Sequence, residues 1–305
     1  MKVLVTGAAG FIGKNLCDDL VERGHEVYCL VRASSKRDAL QPLGVKFVEG
    51  DITDEESLKK APPVEIIIHC AAEVEERGLD KLLAVNLVGT RNICRLSLHL
   101  GVKRLVYLSS IAVVNGHSRV PMVEDLPYWP NSPYGISKVE AEKEALEYRA
   151  RGLPVAVIRP GMVYGEGEPH LSGLLFSLLK FRLLALPERG RRIMHMVYVK
   201  NLCEVVLSAM EDEKFLDGTF FSLDEDALTC AEVFAILSSS AGLPRPMAIP
   251  VHLTPFFSLL PVIGPNFCAL CRDRKYDIGR IKSLGYRDRL PARAALEKMG
   301  RSFRK

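Results

Sequence analysis

Short apolar runs alternate along the chain with segments whose apolar residues recur every three or four positions. The runs are Lys2–Val5, Glu26–Val31, Val45–Val48, Glu65–His69, Leu105–Leu108 and Val155–Ile158. Runs of this length, rich in Val, Ile and Leu, read as strands buried on both faces. Between them, Lys14–Arg23, Leu79–Leu100 and Pro133–Arg151 carry the helical period. Strands alternating with helices predict an α/β fold, a doubly wound parallel sheet covered on both sides. The alternation fades after Gly165 and is lost beyond about Asp224. One large domain over residues 1–165, rejoined by about 190–222, is therefore expected. Residues 166–190 and 223–305 would form a smaller C-terminal lobe.

Two segments of that lobe are unusually apolar. Leu171–Leu186 reads LSGLLFSLLKFRLLAL, with only Lys180 and Arg182 charged. Ile249–Cys271 is interrupted by Pro250, Pro255, Pro261 and Pro265. That much proline excludes a regular spanning helix, which needs about 20 continuous apolar residues. Packing between lobes accounts for both segments. The other reading is a greasy substrate mouth or a peripheral membrane contact, favoured by Phe256, Phe257 and the basic Arg272, Arg274 and Lys275.

Composition narrows the class. Of 305 residues, 48% are hydrophobic and 26% charged, enough apolar content for a large core. A net charge of +4 is too mild to point to nucleic acid. Met1-Lys2 leads straight into the first strand, so no signal peptide is read and a cytoplasmic location is expected. Eight cysteines sit mostly within apolar patterns, which suits reduced core thiols. Cys268-x-x-Cys271 has no second pair, and no metal site is expected.

Chemistry enters at two places. Thr6–Gly13 reads T-G-A-A-G-F-I-G, between the first strand and the first helix. Glycines there let the backbone turn tightly and approach a pyrophosphate, while the helix N-terminus offers N–H groups and a positive dipole end. Further on, Tyr134 and Lys138 are four apart and share one face of a helix. An ammonium near a phenol lowers its pKa, and a phenol so tuned serves as general acid or base. The strand Leu105–Leu108 ends in Ser109-Ser110, and strand ends are where open α/β sheets bind ligands.

Taken together, these features resemble the extended short-chain dehydrogenase/reductase superfamily, the NAD(P)-dependent epimerase/dehydratase group. The motifs are T-G-x-x-G-x-x-G, Asp51, His69-Cys70-Ala71-Ala72, Asn86-Leu87-Val88-Gly89-Thr90, Ser109-Ser110, Tyr134-x-x-x-Lys138, Arg159–Gly165 and His195–Val199. The resemblance covers Lys2 to about Leu296 and implies a Rossmann-type fold with a substrate-binding second lobe. It implies that Gly7, Ala9, Gly10, Phe11, Ile12 and Gly13 hold the dinucleotide phosphates. Asp51 and Ile52 would meet the adenine. Cys70, Ala71 and Ala72 would line the nicotinamide-side ribose and phosphates. Pro160, Met162 and Val163 would form part of the nicotinamide pocket. Tyr134 would exchange a proton with the substrate oxygen, and Lys138 would lower its pKa and bond the nicotinamide ribose. Ser110 would orient the substrate oxygen, with Ser109 as the alternative. A homodimer through Leu79–Leu100 and Pro133–Arg151 is a further implication.

Cofactor and reaction class follow from what is missing. The second strand ends Leu30-Val31-Arg32-Ala33-Ser34-Ser35-Lys36-Arg37, with no carboxylate before Asp38. An acidic residue there favours NAD, whereas Arg32 presents a fork suited to a 2′-phosphate, with Ser34, Ser35, Lys36 and Arg37 adding contacts. NADP(H) is therefore expected, with NAD(H) as the alternative. Ser110 is followed by Ile111-Ala112-Val113, where dehydratases of the group place an acid/base pair. Glu73, Glu75 and Glu76 would repel an anionic nucleotide sugar. The expected enzyme is an NADP(H)-dependent oxidoreductase acting on a secondary alcohol or ketone of a moderately hydrophobic small molecule. The alternative is an NAD-dependent nucleotide-sugar 4-epimerase, in which His195 or Arg191-Arg192 would meet the diphosphate.

Overall fold

The computed structural model describes residues 1–75, 78–169, 172–216, 218–250 and 272–304. The strands are β1 (Lys2–Thr6), β2 (Glu26–Val31), β3 (Lys46–Glu49), β4 (Ile66–His69), β5 (Arg104–Leu108), β6 (Val155–Pro160), β7 (Met162–Tyr164), β8 (Ala185–Leu186), β9 (Ile193–Met194), β10 (Met196–Tyr198), β11 (Thr219–Ser222), β12 (Leu228–Thr229) and β13 (Met247–Ala248). The helices are α1 (Phe11–Glu22), α2 (Glu55–Leu58), α3 (Leu79–Leu100), α4 (Pro133–Ala150), α5 (Ser172–Lys180), α6 (Val199–Glu211), α7 (Cys230–Ala241), α8 (Gly279–Ser283) and α9 (Ala292–Ser302).

The chain divides into two compact units. The first holds Met1–Ser118, Glu124–Pro160 and Leu202–Ser222; the second holds Arg119–Val123, Gly161–Asn201 and the chain from Leu223 onward. The division thus falls at Pro160 and Leu202 rather than at residues 165 and 190, and Met162 and Val163 belong to the second unit. No periodicity marks that point, because β6 ends and β7 begins with a single residue between them.

The first unit is built on a seven-stranded sheet in the order β11-β6-β5-β4-β1-β2-β3, with every pairing parallel. This is a Rossmann-type sheet, and its winding reverses between β1 and β4. Leu4, Ile67, Leu105 and Val155 of the strands are buried against Ile93 and Cys94 of α3 and Ala141, Ala145 and Tyr148 of α4. Strands covered on both faces explain their nearly continuous apolar sequence. The first helix begins at Phe11, three residues before the apolar periodicity suggests, because its opening turn contains Gly13.

In the second unit β7 pairs with β10, β9 with β12 and β8 with β13. Helix α7 opens with a capping box between Thr229 and Glu232. Within Leu171–Leu186, Phe176 and Leu179 are buried, whereas Phe181 and Leu183 are exposed. Phe176 stacks on Phe303 at 3.7 Å between centroids. Most of Ile249–Cys271, including the C-x-x-C and Phe256-Phe257, lies outside the described residues. No helix among the described residues is long and apolar enough to cross a membrane.

Candidate active site

At the sheet's reversal, Thr6 ends β1 and His69 ends β4, side by side in register. The glycine-rich turn departs from Thr6. Gly7 has φ +68°, and a Cβ there would lie 2.7 Å from the Ala71 nitrogen. A Cβ on Gly13 would lie 2.2 Å from the Gly7 carbonyl oxygen. These glycines let the turn, the loop after β4 and the first turn of α1 crowd together. Gly10 caps α1 without a side-chain hydrogen bond, and no acidic residue stands in the first turn. The N–H groups there are therefore open to an anion.

Beside the turn is a cavity of about 580 Å³, lined by Gly7, Ala9, Gly10, Leu30, Val31, Arg32, Ser35, Lys36, Gly50, Asp51, Ile52, Thr53, Cys70, Ala71, Ala72, Glu73 and Val85. Nine residues expected to touch a dinucleotide therefore line one cavity: Gly7, Ala9, Gly10, Arg32, Asp51, Ile52, Cys70, Ala71 and Ala72. Phe11, Ile12 and Gly13 follow as the opening of α1. The glycine cradle and the uncapped helix end fit a pyrophosphate. At the rim, the Arg32 N–H donates to Ser35 Oγ at 3.1 Å. Arg37 is not available there, because it pairs with Glu49 at 3.0 Å and lies over the Phe47 ring. Asp51 Oδ1 accepts the Thr53 N–H at 2.9 Å and its hydroxyl at 2.8 Å, which holds the carboxylate in place.

Behind the cavity runs a buried polar relay. The Ala71 N–H donates to Thr6 Oγ1 at 3.2 Å, and Thr6 Oγ1 lies 2.7 Å from His69 Nδ1. His69 Nε2 lies 3.2 Å from Thr90 Oγ1, whose hydroxyl donates to the Asn86 carbonyl. With that hydroxyl proton committed, Nε2–H is the donor to Thr90 and Nδ1 accepts from Thr6, so the relay requires a neutral imidazole. Burial, and behind it the Lys138 ammonium, push the His69 pKa down from 6.5 to about 3. Between those values the unfolded chain binds more protons than the folded one. The associated stability is full above pH 6.5 and is lost by about 1.4 kcal/mol per unit as pH falls toward 3. Urea unfolding near pH 6.5 and near pH 5 should differ by roughly 1.5 kcal/mol from this group, a difference that His69→Asn should remove. An equal difference in the variant would assign the acid sensitivity elsewhere.

Asn86 ties the cavity to α4. Its Oδ1 accepts the Glu73 N–H at 2.8 Å, and its Nδ2 donates to the Glu73 carbonyl at 3.0 Å and to Ser137 Oγ at 2.8 Å. Ser137 in turn donates to the Tyr134 carbonyl at 2.8 Å. Glu73 therefore lines the cavity through a fixed loop. Glu75 is exposed, and Glu76 lies outside the described residues.

Tyr134 and Lys138 rise from the first two turns of α4, which Ser132 caps through the Gly135 N–H. Burial raises the Tyr134 pKa, against a smaller lowering by the nearby Ser110 hydroxyl. Ser110 also accepts the Ala112 N–H at 3.1 Å, which leaves its own proton to donate. The Ser109 hydroxyl instead donates to Glu142. Burial pushes the Lys138 pKa down to about 8, against the pull of Glu142 and Cys70. Its Nζ donates to the Leu108 carbonyl at 2.8 Å and sits 4.6 Å from the Tyr107 ring centroid. The expectation that Lys138 depresses the Tyr134 pKa is thus not what the geometry gives. The Lys138 ammonium ends on the Leu108 carbonyl at the end of β5, and burial decides the direction of the Tyr134 shift.

Beneath these residues lies a buried ion pair that the sequence reading missed. Glu142 accepts from Arg159 Nη2 at 2.5 Å and Nε at 3.0 Å, and from the Tyr128 hydroxyl at 2.9 Å. Arg159 Nη1 donates to the Glu124 carbonyl at 2.9 Å. Tyr134, Lys138 and Glu142 are successive fours on one helix face, so the spacing held the signal. Pro160 ends β6. In the second unit, Met162 is exposed and Val163 half-buried on β7.

His195 does not present a charged ring. Its Nε2 bonds the Asp224 carbonyl at 2.7 Å, its Nδ1 accepts the Tyr276 N–H at 3.3 Å, and burial lowers its pKa. Arg192 is held by Glu188 and Asp273, whereas Arg191 is exposed. Asp224, whose pKa burial raises to about 7, accepts from the Tyr164 hydroxyl, the Tyr198 N–H and the Asn201 amide. Among the described residues no group of His, Cys, Asp and Glu could hold a metal ion.

With this geometry in place, likeness to known proteins becomes informative. Residues 3–221 match the NAD dependent epimerase/dehydratase family. The chain is 30% identical over 267 residues to sterol demethylase protein B of Methylococcus capsulatus, spanning 85% of this chain and 81% of that protein. It is 29% identical over 260 residues to the 2-alkyl-3-oxoalkanoate reductase of Stenotrophomonas maltophilia, spanning 80% and 77%. Among solved structures, the Thermus thermophilus UDP-glucose 4-epimerase in complex with NAD superposes with a TM-score of 0.80 at 26% identity, covering 100% and 99% of the two chains.

Proposed function

This chain belongs to the NAD dependent epimerase/dehydratase family, and from that premise we propose that it is an NADP(H)-dependent reductase of a ketone on a moderately hydrophobic molecule. An enzyme of the NAD-dependent oxidoreductase/epimerase class follows from the family itself. The finer reading rests on one observation: Ser109 is taken by Glu142, which leaves the Ser110 hydroxyl at the end of β5 with a proton to give, next to the helix that carries Tyr134 and Lys138. A phenol at this place would give its proton to the oxygen of a carbonyl as that carbonyl is reduced. Ser110 would hold the substrate oxygen, Tyr134 would give it a proton, and Lys138 would bond the nicotinamide ribose. A bound nicotinamide would supply the hydride. Ile111, Ala112 and Val113 are buried and apolar, so the turn after Ser110 offers no further acid.

The cofactor preference rests on Arg32. Among the described residues its guanidinium makes no ion pair, and Ser35 and Lys36 line the same cavity rim. A guanidinium, an ammonium and a hydroxyl suit a 2′-phosphate. In calorimetry on cofactor-stripped protein, NADPH should bind at least tenfold tighter than NADH, about 1.4 kcal/mol. Arg32→Ser should remove most of that preference and leave NADH binding within about twofold, since only the 2′-phosphate contact is lost. Tightly retained NAD with no preference for NADPH would overturn this reading. It would favour a nucleotide-sugar 4-epimerase, the second reading, which likeness to the Thermus thermophilus enzyme supports.

A further inference from the structure

Trp129 is the chain's sole tryptophan, and 60% of it is exposed. Its main chain is nonetheless tied down. The backbone N–H of Trp129 donates to the Val113 carbonyl at 2.9 Å, and its backbone carbonyl accepts the Gly116 N–H at 2.6 Å. The indole lies directly on the Gly116 backbone, where a Cβ would come within 2.0 Å of its Cδ1. The His117 ring stands beside it at 5.4 Å between centroids, fixed in turn by a 2.8 Å contact from Nε2 to the Pro127 carbonyl. A large aromatic face kept in water yet locked in place is a pre-organised apolar contact.

Its position says what the contact is for. Val113, which receives the Trp129 N–H, closes the short turn that Ser110 caps. Pro130, the next residue, packs on the first turn of α4, within 3.0 Å of where a Cβ on Gly135 would stand. Gly135 follows Tyr134. The backbone of Trp129 is therefore bonded to the segment that carries Ser110, and its neighbour Pro130 packs on the segment that carries Tyr134. We propose that Trp129, flanked by His117, is the apolar wall on which the body of the substrate lies while its oxygen meets Ser110 and Tyr134. This rests on the ketone-reductase reading and gives it a specificity-determining residue. The substrate class it selects is a ketone with an extended aliphatic or fused-ring body.

The test uses the full-length protein with NADPH and methyl ketones from 2-butanone to 2-dodecanone. For the wild type, kcat/KM should rise roughly fourfold per added methylene until the wall is covered, the factor expected for burying one such group. Trp129→Ala should flatten that dependence, mainly through KM, and Trp129→Phe should restore most of it. A role in folding alone would lower all ketones by one factor and leave the slope intact, which would overturn the proposal. Binding is read separately. Saturating 2-dodecanone should shift Trp129 emission to the blue in Tyr134→Phe, where no turnover consumes the ligand. If no ketone is reduced by the wild type, the reductase reading fails, and the emission shift still decides the wall. An unshifted emission, or a shift that follows protein concentration without ketone, would make the indole a bystander or a contact between copies and would overturn the proposal.

Discussion

A Tyr134→Phe variant is expected to lose roughly 10²–10⁴-fold in turnover, the range typical of removing a positioned general acid. The substitution keeps the ring and its packing and deletes the single proton beside Ser110. No neighbour replaces it. The Ser109 hydroxyl is engaged by Glu142, and the turn after Ser110 is apolar. Dinucleotide binding should change far less than turnover, because the glycine turn and the cavity beside it are left intact. Lys138 sets the pH dependence. Burial has brought its pKa to about 8, so its ammonium is present below that value and lost above it. The ammonium is the form expected to bond the nicotinamide ribose, and the neutral amine donates more weakly. Reductive turnover should therefore hold near neutral pH and decline through about pH 8. Full activity of the phenylalanine variant would remove Tyr134 from the chemistry.

The largest stability effect is expected at Arg159. Replacing it with methionine should cost about 3–5 kcal/mol, as for other buried ion pairs that lose one partner. Glu142 is wholly buried and would keep only the Ser109 and Tyr128 hydroxyls as donors. The Glu124 carbonyl would lose its Arg159 donor as well. Removing both charges is a different matter. Arg159→Met combined with Glu142→Leu should recover most of the loss, because no charge is then buried alone. Equilibrium unfolding in urea of the two single variants and the double variant checks this. Additive losses would mean that the pair is not coupled. The double variant should also move the pH dependence of turnover, since the Glu142 charge holds the Lys138 pKa up.

Much of this protein was legible before any coordinates. Strands β1 to β6 were evident as apolar runs, because a strand covered on both faces leaves no polar alternation. The glycine turn was evident because backbone contact at Gly7 and Gly13 tolerates no side chain. Tyr134 and Lys138 were evident because four residues are about one helical turn. All three signals are local, set by a few bonded neighbours.

What the tertiary structure decided lies between residues that no local period connects. His69 meets Thr6 and Thr90 because β4 settles beside β1 at the point where the sheet changes its winding. Asn86 reaches Ser137 across 51 residues because α3 and α4 pack on the same face. Arg37 looked like a phosphate contact and is spent on Glu49, while His195 looked like a ligand group and is buried on backbone. The ambiguity between Ser109 and Ser110 has the same origin. Adjacent strand residues point to opposite faces, and only the position of Glu142, brought in by α4, shows which hydroxyl is engaged and which is left beside the phenol. Residue type and spacing thus determined the elements and their candidate chemistry. Strand order and helix packing determined which polar groups are satisfied internally, and so which ones remain free to meet a ligand.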